Sequence, residues 1–267
     1  MLNTLISHQV IMGLLQAGAA IALALVVTWI ARTRAIHLER EVVVALIRGL
    51  VQVVAVGSIL GLLLGGPRWT SVIILAAMVA AAATISARRA EGIPDAFRVS
   101  LYSIGFGSAV VIIPMTLLGA IDSSISSLVP VGSMLIANAM NSNALALDRF
   151  KAEVLSHSGQ IEAGLALGAK PQVTVRPYVQ ASIQAAMIPR VDTLRSLGIV
   201  WIPGIMAGMI LAGTNPVYAA IYQFVVIAMI FAAAGLTSLA SMLLIRSKAF
   251  SDADQLVLRS KVVEEEA

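Results

Sequence analysis

Seven separate stretches of apolar sequence, at 9–31, 41–64, 69–87, 97–119, 126–147, 194–212 and 217–245, constrain this chain more than any motif in it. A helix of roughly 20 residues crosses about 30 Å of hydrocarbon, and only a helix or a closed barrel satisfies its backbone polar groups there. A barrel would alternate polar and apolar residues over segments of about ten, and these runs are continuous. With 12% of residues charged and a mean hydropathy of +0.93, the expected fold is an all-α integral membrane protein of about seven transmembrane helices. Residues 1–249 would form the membrane domain and 250–267 a solvated cytoplasmic tail. The first run lacks preceding basic residues and exceeds a signal-peptide core in length, so it is read as a retained span.

Short cytoplasmic loops are rich in Lys and Arg. Of the 18 such residues, Arg48 lies within a span and Arg68 in an outer loop. The other sixteen, Arg88, Arg89, Lys151, Lys170 and Arg246 among them, fall on or beside the opposite face. The amino terminus is therefore expected outside and the tail inside. The charge orients the chain, and no aromatic platform accompanies it to suggest a nucleic-acid partner.

One inner loop is long, from about 148 to 192, between the fifth and sixth spans. Within it, IEAGLALGAKPQ reads as a short helix with Ile161, Leu165 and Gly168 on one face, Glu162 in its first turn, and Gly168 and Pro171 as its stop. A surface helix resting at the lipid interface has the same pattern. The order Glu162, Ala163, Gly164, then Gly168 resembles the loop of ATP-binding-cassette permeases that docks on a cytoplasmic ATPase.

Further matches extend that likeness. LALGAKP at 165–171, IPRVDTLRSLGIVWIPGIMAGMILAGTNP at 188–216 and AIYQFVV at 220–226 resemble the FetB-type iron-export permeases, a family with a plant branch linked to aluminium tolerance. RGLVQVVAVG at 48–57 and IANAMNSNAL at 136–145 resemble that family's second and fifth spans. The resemblance implies a homodimeric permease in the plasma membrane, driven by a separate ATPase subunit. Its coupling helix would be formed by Glu162, Ala163, Gly164, Leu165, Gly168, Ala169 and Pro171. No G-x-x-x-x-G-K-[ST] phosphate loop occurs in the chain, so ATP would be used by the partner and no cofactor bound here.

Residues that could line a translocation path are Arg48 and Gln52 on the second span, Asn138, Met140, Asn141 and Asn143 on the fifth, Asp192 and Met206 about the sixth, and Gln223 on the seventh. Each has a plain alternative: amides join membrane helices, methionine fills apolar gaps, and Arg48 can extend its head to water. An Arg48–Asp192 ion pair is the sharper reading, and opposed side chains would end it. Gly204 and Gly208 form a G-x-x-x-G pair suited to packing within the chain or to a dimer contact. Pro203 should kink or break the sixth span, and the stretch 188–200 could instead re-enter as a broken helix.

Cargo is the least legible feature. Cysteine is absent, and His8, His37 and His157 are scattered, so no fixed metal site is expected. Iron or another metal is the cargo that the resemblance implies, and a nucleotide sugar such as UDP-glucose is the alternative. An ion-coupled carrier would want intramembrane carboxylates. A membrane enzyme would show a catalytic motif. The central spans hold almost no carboxylate, and no catalytic motif is visible.

Overall fold

A computed structural model describes residues 8–34, 39–63, 67, 69–90, 92–251 and 253–258. The outer loop at Arg68, the end of the second apolar run, His37 and the terminal Glu264, Glu265 and Glu266 lie outside these. Ten α-helices and one 3-10 turn make up the described chain, with only isolated bridge pairs and no β-strand among the described residues. The chain divides into two units, 1–66 and 67–267. The first holds α1 (His8–Thr33) and α2 (Glu39–Leu63), both long and apolar enough to cross a bilayer.

The second unit contains α3 (Thr70–Ala87), α4 (Ala96–Leu117), α5 (Ile125–Ser156), α6 (Ser158–Ala166), α7 (Pro171–Thr174), α8 (Arg176–Ser196), α9 (Gly204–Leu211) and α10 (Pro216–Lys248). Helices α3, α4 and α10 also meet the length and hydropathy of a span. Helix α5 is one continuous helix of 32 residues, so it runs about 48 Å at 1.5 Å per residue. Its first two-thirds are the expected fifth span, and its amides and serines lower its hydropathy.

The sixth apolar run is not one helix: it breaks at Pro203, as expected, and the break extends upstream to Ser196. Helix α8 ends at Ser196, a turn follows with Gly198 at φ +77°, and α9 adds only eight residues behind Pro203. In that turn the amides of Ile199, Val200 and Trp201 all donate to the Ser196 carbonyl. Pro203 has extended backbone as the N-cap of α9, so the break lies there and upstream. Non-helical backbone at membrane depth is tolerated where protein buries it or a cavity borders it.

Helices α4 and α10 approach most closely at Gly107. A Cβ built there would lie 2.1 Å from Thr237 Oγ1 and 2.8 Å from both Ala233 O and Thr237 N. Ser103, Ser108, Thr237, Ser238 and Ser241 are buried on the same two helices. Small residues let helix backbones meet in lipid, where dispersion rather than water exclusion drives association.

Asn143, fully buried, donates through Nδ2 to Ser86 Oγ at 2.7 Å and Ser100 Oγ at 3.0 Å, tying α5 to α3 and α4. Asn143→Ala should lower stability by about 1–3 kcal/mol, from two lost bonds and two hydroxyls left dry. A lower thermal midpoint in detergent, with transport per folded molecule unchanged, checks this.

A second core closes the end that carries α6. There Leu147, Phe150 and Val154 of α5 pack with Ile161, Val175, Val179, Met242 and Ile245. The carboxy-terminal segment joins it, which corrects the solvated-tail reading for its first part. Val257 N donates to Ala249 O at 2.9 Å, Ser251 N donates to Gln255 O at 2.8 Å, and Leu256 and Leu258 are buried in the cluster. At the same end Lys248 Nζ lies 2.8 Å from Asp95 Oδ2, and that hydrogen bond and charge hold the Asp95 carboxyl below the usual carboxylate range.

Candidate functional site

Two features of the second unit are connected by α8. At one end stands the short helix α6, and near the middle lies a mostly apolar cavity that holds one arginine.

Helix α6 ends as its glycine requires. Gly168 has φ +83°, its amide donates to Leu165 O at 2.9 Å, and Ala169 N donates to Gly164 O at 3.0 Å. This is a left-handed C-cap. Ile161 faces the core, whereas Glu162 and Ala163 are exposed and Leu167, at the tip, is 89% exposed. The helix begins at Ser158, so Gly159 and Gln160 lie inside it. Pro171, expected as part of the stop, instead starts α7, where the missing N–H costs nothing.

Gly164 permits a close approach, since a Cβ there would sit 3.0 Å from Thr174 Cγ2. Glu162, Leu165, Lys170 and Pro171 face Ala253 and Gln255 across a groove of about 560 Å³. The elbow behind α6 is firmly joined. His157 stacks on Tyr178 with ring centroids 4.8 Å apart, Tyr178 Oη donates to Gln160 Oε1 at 3.3 Å, and Arg149 Nη2 lies 2.7 Å from Glu153 Oε1.

The cavity, of about 460 Å³, is lined by Met134 and Asn138 of α5, Arg190, Thr193 and Ser196 of α8, Trp201 of the break, and Ile227 of α10. Counting at 1.5 Å per residue, Asn138 and Ile227 lie about 17–20 Å from the amino-terminal ends of their helices; with those ends at a membrane surface, that is just past the middle of about 30 Å of hydrocarbon. Arg190 donates through Nη1 to Asn138 Oδ1, while its buried Nε has no acceptor among the described residues. Asn138 Nδ2 donates to Met134 O at 2.8 Å. Pro189 cannot donate to the carbonyl four residues back, so the α8 ladder is interrupted just before Arg190.

The expected path residues are thus divided. Asn138 reaches the cavity, but Asn141 is exposed and Asn143 is a structural tie. Met140 packs against the core cluster of Ala82, Ile104, Ile136 and Ala139. Gln223, buried, accepts from Met206 N at 3.2 Å and so holds the first turn of α9 to α10. Asp192 is exposed, 3.8 Å from Arg195 one turn on. Arg48 and Gln52 are on α2 in the first unit.

Gly204 and Gly208 meet no atom within 4 Å where a Cβ would stand, so packing within their own unit does not explain them. Sequence reading missed Arg190, although IPR after a stretch of alanines was visible: the residue lay in what looked like a cytoplasmic loop. Among the described residues no group of three His, Cys, Asp or Glu could hold a metal ion.

Long apolar helices and a discontinuous helix beside a half-buried arginine define a polytopic membrane protein. The chain belongs to the uncharacterised protein family UPF0014, whose family model matches residues 14–250. It is 29% identical to the probable iron export permease protein FetB of Escherichia coli K12, over 90% of this chain and 93% of the relative. The UPF0014 membrane protein STAR2 of rice is 28% identical over 93% of this chain and 88% of its own length. The protein ALUMINUM SENSITIVE 3 of Arabidopsis thaliana is 27% identical over 91% and 90%. No solved structure matches the chain.

Proposed function

We propose that this chain is the permease subunit of an ATP-binding-cassette transporter that exports iron or another metal across the plasma membrane, powered by a separate cytoplasmic ATPase. The observation that carries the reading is the placement of α6. An exposed helix bearing Glu162 and Leu167 is joined through Tyr178 to α8, the helix whose far half borders the cavity. Tyr178 and Arg190 are 12 positions apart on α8, about 18 Å. Closure of the ATPase would push α6, and α8 would carry the displacement to Arg190, with Pro189 and the turn at 197–203 as the compliant joints. The metal cargo is drawn from the name of the Escherichia coli relative.

A homodimer belongs to the same proposal. Gly204 and Gly208 leave a small-residue face with nothing of their own unit against it, which a second copy could cover.

Vesicles holding both subunits should export iron in an ATP-dependent manner. Transport without ATP, or equal transport without the ATPase, would overturn the coupling. No movement of iron or any other metal tested would overturn the cargo.

A further inference from the structure

We propose that the cavity at Arg190 recognises its cargo through an oxyanion group, carboxylate or phosphate, so that a metal passes as an anionic complex and not as a bare cation. This rests on the transporter reading and adds the chemical class of the cargo.

The argument starts from charge. A guanidinium at mid-depth is expensive unless something opposite in charge or rich in acceptors meets it. Among the described residues its one side-chain acceptor is the neutral amide oxygen of Asn138, and Nε has no partner. No carboxylate among the described residues lines the cavity; Asp192, two residues on, is exposed and lies beside Arg195.

The hydroxyls nearby are turned to the chain itself. Thr193 Oγ1 donates to Pro189 O at 2.8 Å and Ser196 Oγ to Thr193 O at 3.2 Å. Each oxygen therefore keeps lone pairs for a donor, but their own protons are already committed. Among the residues that line the cavity the one charged donor is Arg190.

A guanidinium with Nη1 alone paired keeps N–H groups for a carboxylate or phosphate, and because Nε is itself buried, a second, parallel bond to it requires a small shift of the side chain. A bare divalent cation would meet repulsion there. It would also find no set of anionic or imidazole ligands, as none exists among the described residues. The single thioether of Met134 does not compensate, because one soft ligand cannot replace a hydration shell. A volume of about 460 Å³ falls within the range of small-molecule pockets and far exceeds what one ion needs.

A purely structural role, Arg190 as a strut between α8 and α5, makes a different forecast. It would be satisfied by any hydrogen-bonding partner and would leave ligand binding untouched.

The test is direct binding to the purified full-length permease in nanodiscs, without ATPase, using ferrous iron alone, citrate, ferric citrate and pyrophosphate. At least one oxyanion probe should bind, and Arg190→Gln should weaken it tenfold or more while Arg190→Lys retains part of the affinity. Asn138→Asp, which sets a carboxylate against the guanidinium, should abolish binding in a folded protein, and it carries the test if Arg190→Gln fails to fold. Preference for citrate or ferric citrate identifies a chelate, and preference for pyrophosphate a phosphate-bearing cargo. Binding of ferrous iron alone that survives Arg190→Gln, absence of binding by every oxyanion probe, or oxyanion binding indifferent to both variants would overturn the proposal. Because no ATPase is present, failure here would leave ATP-driven transport standing and remove only the cargo class.

Discussion

Gly107→Val should leave no correctly packed bundle. The first carbon of the new side chain would stand 2.8 Å from a backbone oxygen and a backbone nitrogen of α10, as well as 2.1 Å from Thr237 Oγ1. Side chains rotate away from such contacts, but backbone does so only if the two helices separate. Overpacking a core costs about 1–3 kcal/mol and more where relief is blocked; here relief would unseat the pairing of α4 with α10. Thr237→Ala should rescue Gly107→Ala only in part, since the Ala233 carbonyl remains. Gly105→Ala is the control: its Cβ would meet only Val79 Cγ1, at 3.7 Å, and the helix gains propensity by about 1 kcal/mol. Thermal unfolding in detergent should show Gly105→Ala at or above the parent midpoint and Gly107→Val without a cooperative transition. A parent-like midpoint for Gly107→Val would mean that α4 and α10 do not pack as described.

These contacts show where sequence reading succeeds and where it fails. Apolar length identified α1 to α4 and α10 because crossing a bilayer is a one-dimensional requirement, visible residue by residue. The stop at Gly168 was legible for a similar reason: a left-handed C-cap is a local backbone demand that glycine meets. In the sixth run the break at Pro203 was legible from the missing N–H, but its extent back to Ser196 was not, because hydropathy does not register broken hydrogen-bond ladders. Residues 197–203 are apolar throughout the break, and only Gly198 and Pro203 punctuate them.

Depth was the other illegible quantity. Arg190 looked like a residue of a solvated loop because α8 is polar along much of its length, yet α5 and α10 bring Asn138 and Ile227 to it. Asn143 and Asn138 are equally polar and five positions apart, so they fall on different faces of α5. One binds Ser86 and Ser100, the other Arg190. Which amide is strut and which is lining depends on what packs opposite, and that is a tertiary fact.

Glu162→Arg should uncouple the permease from its ATPase while leaving it folded. Glu162 is exposed on α6, so the substitution disturbs no core contact, whereas Ile161 beside it is 1% exposed and holds the helix down. Reversing a charge in a complementary interface removes one favourable contact and adds one unfavourable one. Losses of about 2–5 kcal/mol are typical for such pairs, so association should weaken at least about thirtyfold. Leu167→Asp tests the apolar part of the same surface. An 89% exposed leucine at a helix tip gains about 1.5–3 kcal/mol when a partner buries it, and an aspartate there would forfeit that and desolvate a charge. Both variants should retain the parent thermal midpoint and the parent oxyanion binding, because neither touches α8 or the cavity. Both should lose ATPase co-purification and ATP-driven export together. The combination discriminates: a coupling surface predicts intact cargo binding with lost energy transfer, while a helix that merely rests on lipid predicts normal association and transport in both variants.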